Sequence, residues 1–217
     1  MCFSATASFT ASAALGMVGV ATLRRVTHRR EIPLAAIPLL FGVQQFIEGL
    51  IWLSFGSAPL ISTAPLTFVY TLFSHVLWPI YIPFAVFLLE TVLWRRRAIA
   101  ALQVAGVGIG LYLLSTFAQF PITSRVIGKH IVYESPHFYI LTVMTIYVTA
   151  TCVSGMLSSH RIVRLFGFAA FVAFIAADII HVATLVSVWC FFAAILSFII
   201  CGYFTPRSVV PERLRST

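Results

Sequence analysis

Charge is what this chain has least of: only 9% of its 217 residues are Asp, Glu, Lys or Arg, and six are acidic. A soluble domain carries about 25% charged residues, so a water-facing surface cannot be covered here. The four cysteines, Cys2, Cys152, Cys190 and Cys201, show no CxxC or other ligand spacing, and three lie in apolar runs where a thiol acts as a small hydrophobe. No disulfide framework is implied. HExxH and HxxxH patterns are missing too, and within the predicted helices Asp178-x-x-His181 is the compact pairing. No basic segment precedes the first apolar stretch, so the reading expects no cleavable signal peptide and a first helix that stays in the mature protein. Internal repeats, including the inverted repeats common in transporters, are not visible, and a single domain is expected over 1–204 with a short basic tail at 205–217.

What is abundant is hydrophobicity, at 60% of residues and a mean hydropathy of +1.02. The apolar residues come in runs of roughly 18 to 25, long enough to cross ~30 Å of hydrocarbon as α-helix. The pattern predicts an all-α transmembrane bundle of seven helices over 5–23, 33–55, 66–93, 98–118, 137–157, 162–180 and 184–204. The last two form one long run, divided by an expected tight turn near Asp178 to Thr184.

The net charge of +8 does not point to nucleic acid, because the basic residues sit in short blocks between apolar runs. Arg24, Arg25, Arg29, Arg30, Arg95 to Arg97, Arg161, Arg164, Arg207, Arg213 and Arg215 fall on one side of the predicted topology, against Arg125 and Lys129 on the other. The positive-inside rule then predicts an outer N-terminus and a cytoplasmic C-terminus in the cell (inner) membrane. Trp94, Tyr133, Tyr139 and Tyr203 fall at the expected interfaces, and the outer connection from Gln119 to Pro136 is the natural place for a lid or a partner contact.

An ionisable group in a span costs about 2.5 to 3.5 kcal/mol on insertion scales, so each needs a partner, a cavity or a task. Gln44, Gln45, Glu48 and Trp52 line one face of the second helix. At ~1.5 Å per residue Glu48 lies ~10 Å and His75 ~13 Å below the outer surface, while Asp178 and His181 approach from the same side. Carboxylates and imidazoles from several helices suit a buried divalent transition metal such as zinc, which predicts a site of Glu48, His75, Asp178 and His181, with Cys2 as a further ligand. In that reading Glu48 and His75 are catalytic, and Gln44, Gln45, Trp52 and Trp78 contact a lipid or small-molecule substrate. A plain alternative is that Glu48 and His75 hydrogen-bond to join helices two and three. Trp78-Pro79 and Pro83 should bend helix three and free carbonyls towards a pocket. Glu90 reads as an interfacial partner of Arg95 to Arg97, and His160 as a headgroup contact. Gly106, Gly108 and Gly110 contain a GxxxG spacing for close packing within the bundle or for oligomerisation through the Gly106–Gly110 face.

The opening Met1-Cys2-Phe3-Ser4-Ala5-Thr6-Ala7-Ser8-Phe9 and the segment Gln44-Gln45-Phe46-Ile47-Glu48-Gly49 resemble a family of bacterial multi-pass membrane proteins. Its members begin with MCFSA-x-ASF and carry QQ-x-x-EG on the second helix. That resemblance implies fold and location, brings no activity, and directs attention to Cys2, Gln44, Gln45 and Glu48. A looser likeness to seven-helix metal-dependent hydrolases, the alkaline ceramidases and the progestin and adiponectin receptor group, is limited by the missing paired histidines on the last helix. Three activities stay open: a membrane-embedded metal-dependent hydrolase, a proton-linked transporter or carrier, and a structural or accessory subunit.

Overall fold

The computed structural model describes residues 4–56, 61–128, 130–135, 137, 138, 140–180 and 185–205. Seven apolar helices make up the described bundle: α1 Ala5–Leu23, α2 Ile32–Ser54, α3 Thr63–Leu89, α4 Leu93–Gln119, α5 Leu141–Met156, α6 Arg161–Ile180 and α7 Leu185–Cys201. Five of them, α1 to α4 and α6, are long and apolar enough to cross a membrane, whereas α5 and α7 are shorter. The all-α expectation holds, and the division between α6 and α7 lies at residues 181–184, outside the described residues.

Helices α1 and α2 pack against each other along their length, and at one end they meet through Phe9 and the Gly49 of the Gln44-Gln45-x-x-Glu48-Gly49 segment. Ser4 caps α1, its hydroxyl accepting the Ala7 N–H at 3.2 Å. One face of α1 then lies along α2, where a Cβ on Gly49 would stand 2.7 Å from the Phe9 ring. Glycine there leaves room for that ring, which also meets Phe46 edge-on at 5.5 Å.

Prolines shape α3. Residues Leu72–Leu77 form a π turn directly before Trp78-Pro79. In π register the Ser74 carbonyl would look to the N–H of residue 79, which proline lacks, and the Tyr147 hydroxyl of α5 donates to that carbonyl instead. Pro83 likewise cannot serve the Pro79 carbonyl four residues back, and that oxygen lies against Gly106 of α4. A Cβ on Gly110 would stand 2.8 Å from Ile80, so the Gly106–Gly110 face is occupied by α3 within the bundle. A second π turn, Thr149–Val153, interrupts α5.

The connections at the basic end lock together. Glu90 does not pair with Arg95 to Arg97. It accepts the N–H groups of Thr91 at 3.1 Å, Val92 at 2.9 Å and Ser159 at 2.7 Å, ending α3 and holding the start of α6. Arg95 donates instead to the Leu157 and Ser158 carbonyls at 3.1 and 2.9 Å, which α5 leaves unpaired at its C-terminal end. The His160 ring reaches the Leu89 carbonyl at 3.3 Å and packs on Tyr203, so it is a protein contact where the sequence suggested a headgroup one.

At the opposite end the long connection folds into an antiparallel hairpin, β1 Thr123–Ile127 with β2 His130–Glu134. Ile131, Val132 and Tyr133 are buried against the bundle, and β2 meets α7. Tyr133, placed by the sequence in an interfacial belt, is 2% exposed and stacks on Tyr70 of α3 at 4.3 Å.

Candidate functional site

The polar face of α2 points into the bundle. Gln44, Gln45 and Glu48 are each 0% exposed, and Trp52 is half-buried one turn further along. A carboxylate so placed must be solvated by protein groups. Glu48 Oε2 accepts from Gln45 Nε2 at 3.2 Å on its own helix, and Oε1 accepts from the Ser187 hydroxyl of α7 at 3.0 Å. Gln44 Oε1 accepts the indole N–H of Trp78 at 2.7 Å, tying α2 to α3 just after the π turn. Trp78 also stacks on Phe41 at 3.9 Å.

Three residues beyond Ser187, and so on the same face of α7, Cys190 is buried near the Gln44 and Tyr70 side chains. Four helices therefore contribute to one buried polar cluster once Tyr147 of α5 is included, since its hydroxyl reaches Ser74 and its ring lies near Cys190 and Cys152. A cavity of about 30 Å³ opens beside it, lined by Phe41, Trp78, Tyr147, Cys152, Trp189 and Cys190 among others. That is room for water, not for an organic substrate.

His75 is in the same bundle but faces elsewhere. It sits within the π turn of α3, with Nδ1 at 2.7 Å from the Ser74 hydroxyl and its ring against Phe138 and Phe117 at 4.0 and 5.9 Å. The structure gives it no hydrogen bond to Glu48, so the expected pair joining α2 and α3 is replaced by Gln44 with Trp78. Its Nε2 is buried without a hydrogen-bond partner, as are Gln45 Oε1 and Trp52 Nε1.

The remaining predicted ligands do not join this cluster among the described residues. Asp178 is exposed near the end of α6, while His181 and Cys2 lie outside the described residues. No group of three His, Cys, Asp or Glu side chains placed to hold a metal ion occurs among the described residues. Conversely, Ser187, Cys190, Tyr70, Ser74 and Tyr147 belong to the cluster without having been singled out in the sequence. Ser187 and Cys190 carried a readable signal, a hydroxyl and a thiol at i and i+3 in an otherwise apolar run.

A family of unknown function (DUF6629) matches residues 1–215, nearly the full length, and the chain belongs to it. Comparison with curated proteins and with solved structures returns no match.

Proposed function

We propose that this member of the DUF6629 family is an integral membrane carrier linked to protons, with Glu48 as the group that takes up and releases the proton. The observation that supports this most is the burial of Glu48 in the middle of an apolar helix, held by Gln45 and by Ser187 from another helix. Such a carboxylate needs donors of this kind to be stable as an anion, and it is neutral once protonated, so each change of charge alters its hold on α7. Gln44 and Gln45 are the polar contacts for a small solute in this reading, with Trp52 and Trp78 beside them. The basic connections gathered at one end support placement in the bacterial inner membrane with that end in the cytoplasm.

The test is proton flux into liposomes holding the purified protein, read with an internal pH-sensitive dye under an imposed pH gradient. Wild type should carry protons, and Glu48→Gln should lose that flux while keeping its melting temperature within a few degrees. Equal flux in wild type, Glu48→Gln and empty liposomes would sink the carrier reading.

A metal-dependent hydrolase is the second reading, and the observation favouring it is His75, whose Nδ1 is fixed by Ser74 while Nε2 is left without a partner. It requires Glu48, Asp178 and His181, with Cys2 or without it, to come to His75. Metal content by mass spectrometry of tag-free protein decides it: near one metal per chain, lost in His75→Ala, is the outcome it needs.

A further inference from the structure

At the basic end of the bundle a cleft of about 790 Å³ opens between the start of α2, the start of α6 and the end of α7. That is the size of a ligand pocket, and its lining mixes charged and hydroxyl side chains with Ile162 and Tyr203. The N–H groups just before α6 are spent inside the protein, that of Ser159 on Glu90 at 2.7 Å and that of His160 on the Ser158 hydroxyl at 3.2 Å. The charge offered to a ligand therefore comes from side chains.

Those side chains are basic in excess. Arg161 lines the cleft, Arg164 lies one turn further along α6, and Arg29 and Arg30 adjoin Glu31 at the α2 side; all four are exposed. Among the described residues the arginine that forms an ion pair is Arg125, at the opposite end of the bundle, so none of these four is paired. Glu31, the carboxylate of the lining, is turned back on its own loop. Its Oε2 accepts the N–H groups of Thr27 and His28 at 3.0 and 3.1 Å and the Thr27 hydroxyl at 3.2 Å. Four guanidinium groups against one carboxylate leave the cleft positive.

Arg161 also heads an apolar stripe. Leu165, Phe168, Val172, Ile175 and Ile179 follow it along α6 at steps of three and four, each between 43 and 79% exposed. A charged cleft that runs on into an exposed apolar helix face has the outline of a lipid, with the headgroup at one end and the chains along the helix. Basic pockets between membrane helices on the cytoplasmic side are where anionic headgroups bind.

We infer that this cleft binds the phosphate of an anionic phospholipid, with Arg161 as its main contact and the α6 stripe lying along its acyl chains. The inference goes beyond the carrier reading and does not involve Glu48. It needs the chain only to be embedded in a bilayer.

The test is native mass spectrometry of the full-length protein in mild detergent, titrated with phosphatidylglycerol, with phosphatidylcholine of the same chains, and with glycerol phosphate. Wild type should take up one phosphatidylglycerol per chain, about fivefold or more tightly than phosphatidylcholine, and should bind glycerol phosphate weakly. Arg161→Gln should weaken phosphatidylglycerol about fivefold, the effect of one arginine at an anionic lipid surface, and leave phosphatidylcholine as it was. Arg161→Lys, which keeps the charge, should retain most of the affinity. Thr205→Trp fills the cleft from an exposed position and should weaken phosphatidylglycerol without lowering the melting temperature. Arg24→Gln, at the same end but outside the cleft, should change nothing. Equal affinities for the two lipids, equal losses in Arg24→Gln and Arg161→Gln, or unchanged binding in Thr205→Trp would overturn the site. Glycerol phosphate that competes as well as the whole lipid would point to a soluble phosphate ligand and overturn the lipid assignment.

Discussion

The carbonyl oxygen of Pro79 rests on Gly106, so close that a Cβ at Gly106 would overlap it. Pro83 explains why that oxygen is free to turn outward, and Gly106 is what α4 offers in its place. Gly106→Ala should therefore destabilise the bundle by about 1 to 3 kcal/mol through overpacking. Gly108→Ala, at an exposed position with no neighbour within 4 Å, should be neutral or stabilising by up to about 1 kcal/mol. Thermal unfolding of both variants in one detergent decides it, and equal losses would mean that the α3–α4 contact is not what the glycine serves.

Tyr147→Phe removes the donor to the Ser74 carbonyl, which Pro79 cannot replace. A buried carbonyl left without a partner costs about 1 to 3 kcal/mol. In a Pro79→Ala background residue 79 regains its N–H, so the same Tyr147→Phe change should cost less. The double-mutant cycle measures this coupling, and strict additivity of the melting shifts would contradict it.

Ser187→Ala withdraws a hydrogen bond from the buried Glu48 carboxylate. Bonds to charged groups contribute about 1.5 to 3 kcal/mol, so a loss of that order is expected in wild type. With Glu48→Gln already present the loss should shrink towards the ~1 kcal/mol of a neutral bond. Chemical or thermal denaturation of the four proteins gives the answer.

Glu90 makes the fold sensitive to acid. Burial pushes its carboxyl upward, but the Ser159 and Val92 N–H groups, the Ser159 side chain and the His160 ring outweigh this and bring it below the ordinary glutamate value. A pKa lowered by folding contributes stability that is fully present above the unfolded-state pKa and is lost as pH falls through the folded one. Wild type should thus lose melting temperature between the usual glutamate range and more acid pH, and Glu90→Gln should show a shallower loss over that window. Parallel pH profiles for the two proteins would show that the link between the α3–α4 and α5–α6 connections does not carry it.

Apolar runs made the helices legible, but they could not show how connections touch. Glu90 was read against the nearest arginines in sequence, yet its partner Ser159 lies 69 positions away. The outer connection was marked as a place for a lid from its prolines and charges, whereas the strand that docks it, with Ile131 to Tyr133 buried, is an apolar patch too short to stand out beside helices of about 20 residues. The Gln44-Gln45-x-x-Glu48 face was legible because three polar residues on one side of an apolar helix have nowhere to go but inward.

By itself the sequence determined that this chain forms apolar helices, how many there are, and which face of α2 is buried. Those are local properties: helix length must match an apolar run, and side-chain direction follows from 3.6 residues per turn. Only the tertiary structure decided which polar atoms meet. Gln44 bonds Trp78 across 34 positions and Glu48 bonds Ser187 across 139, while His75, no less polar, turns to Phe138 and Phe117. A hydrogen bond tolerates only tenths of an ångström in length and a narrow range of angle, so it depends on the rotation and bend of each helix against its neighbours. Here those are set by Pro79, the π turn before it, and the glycines that let the helices close.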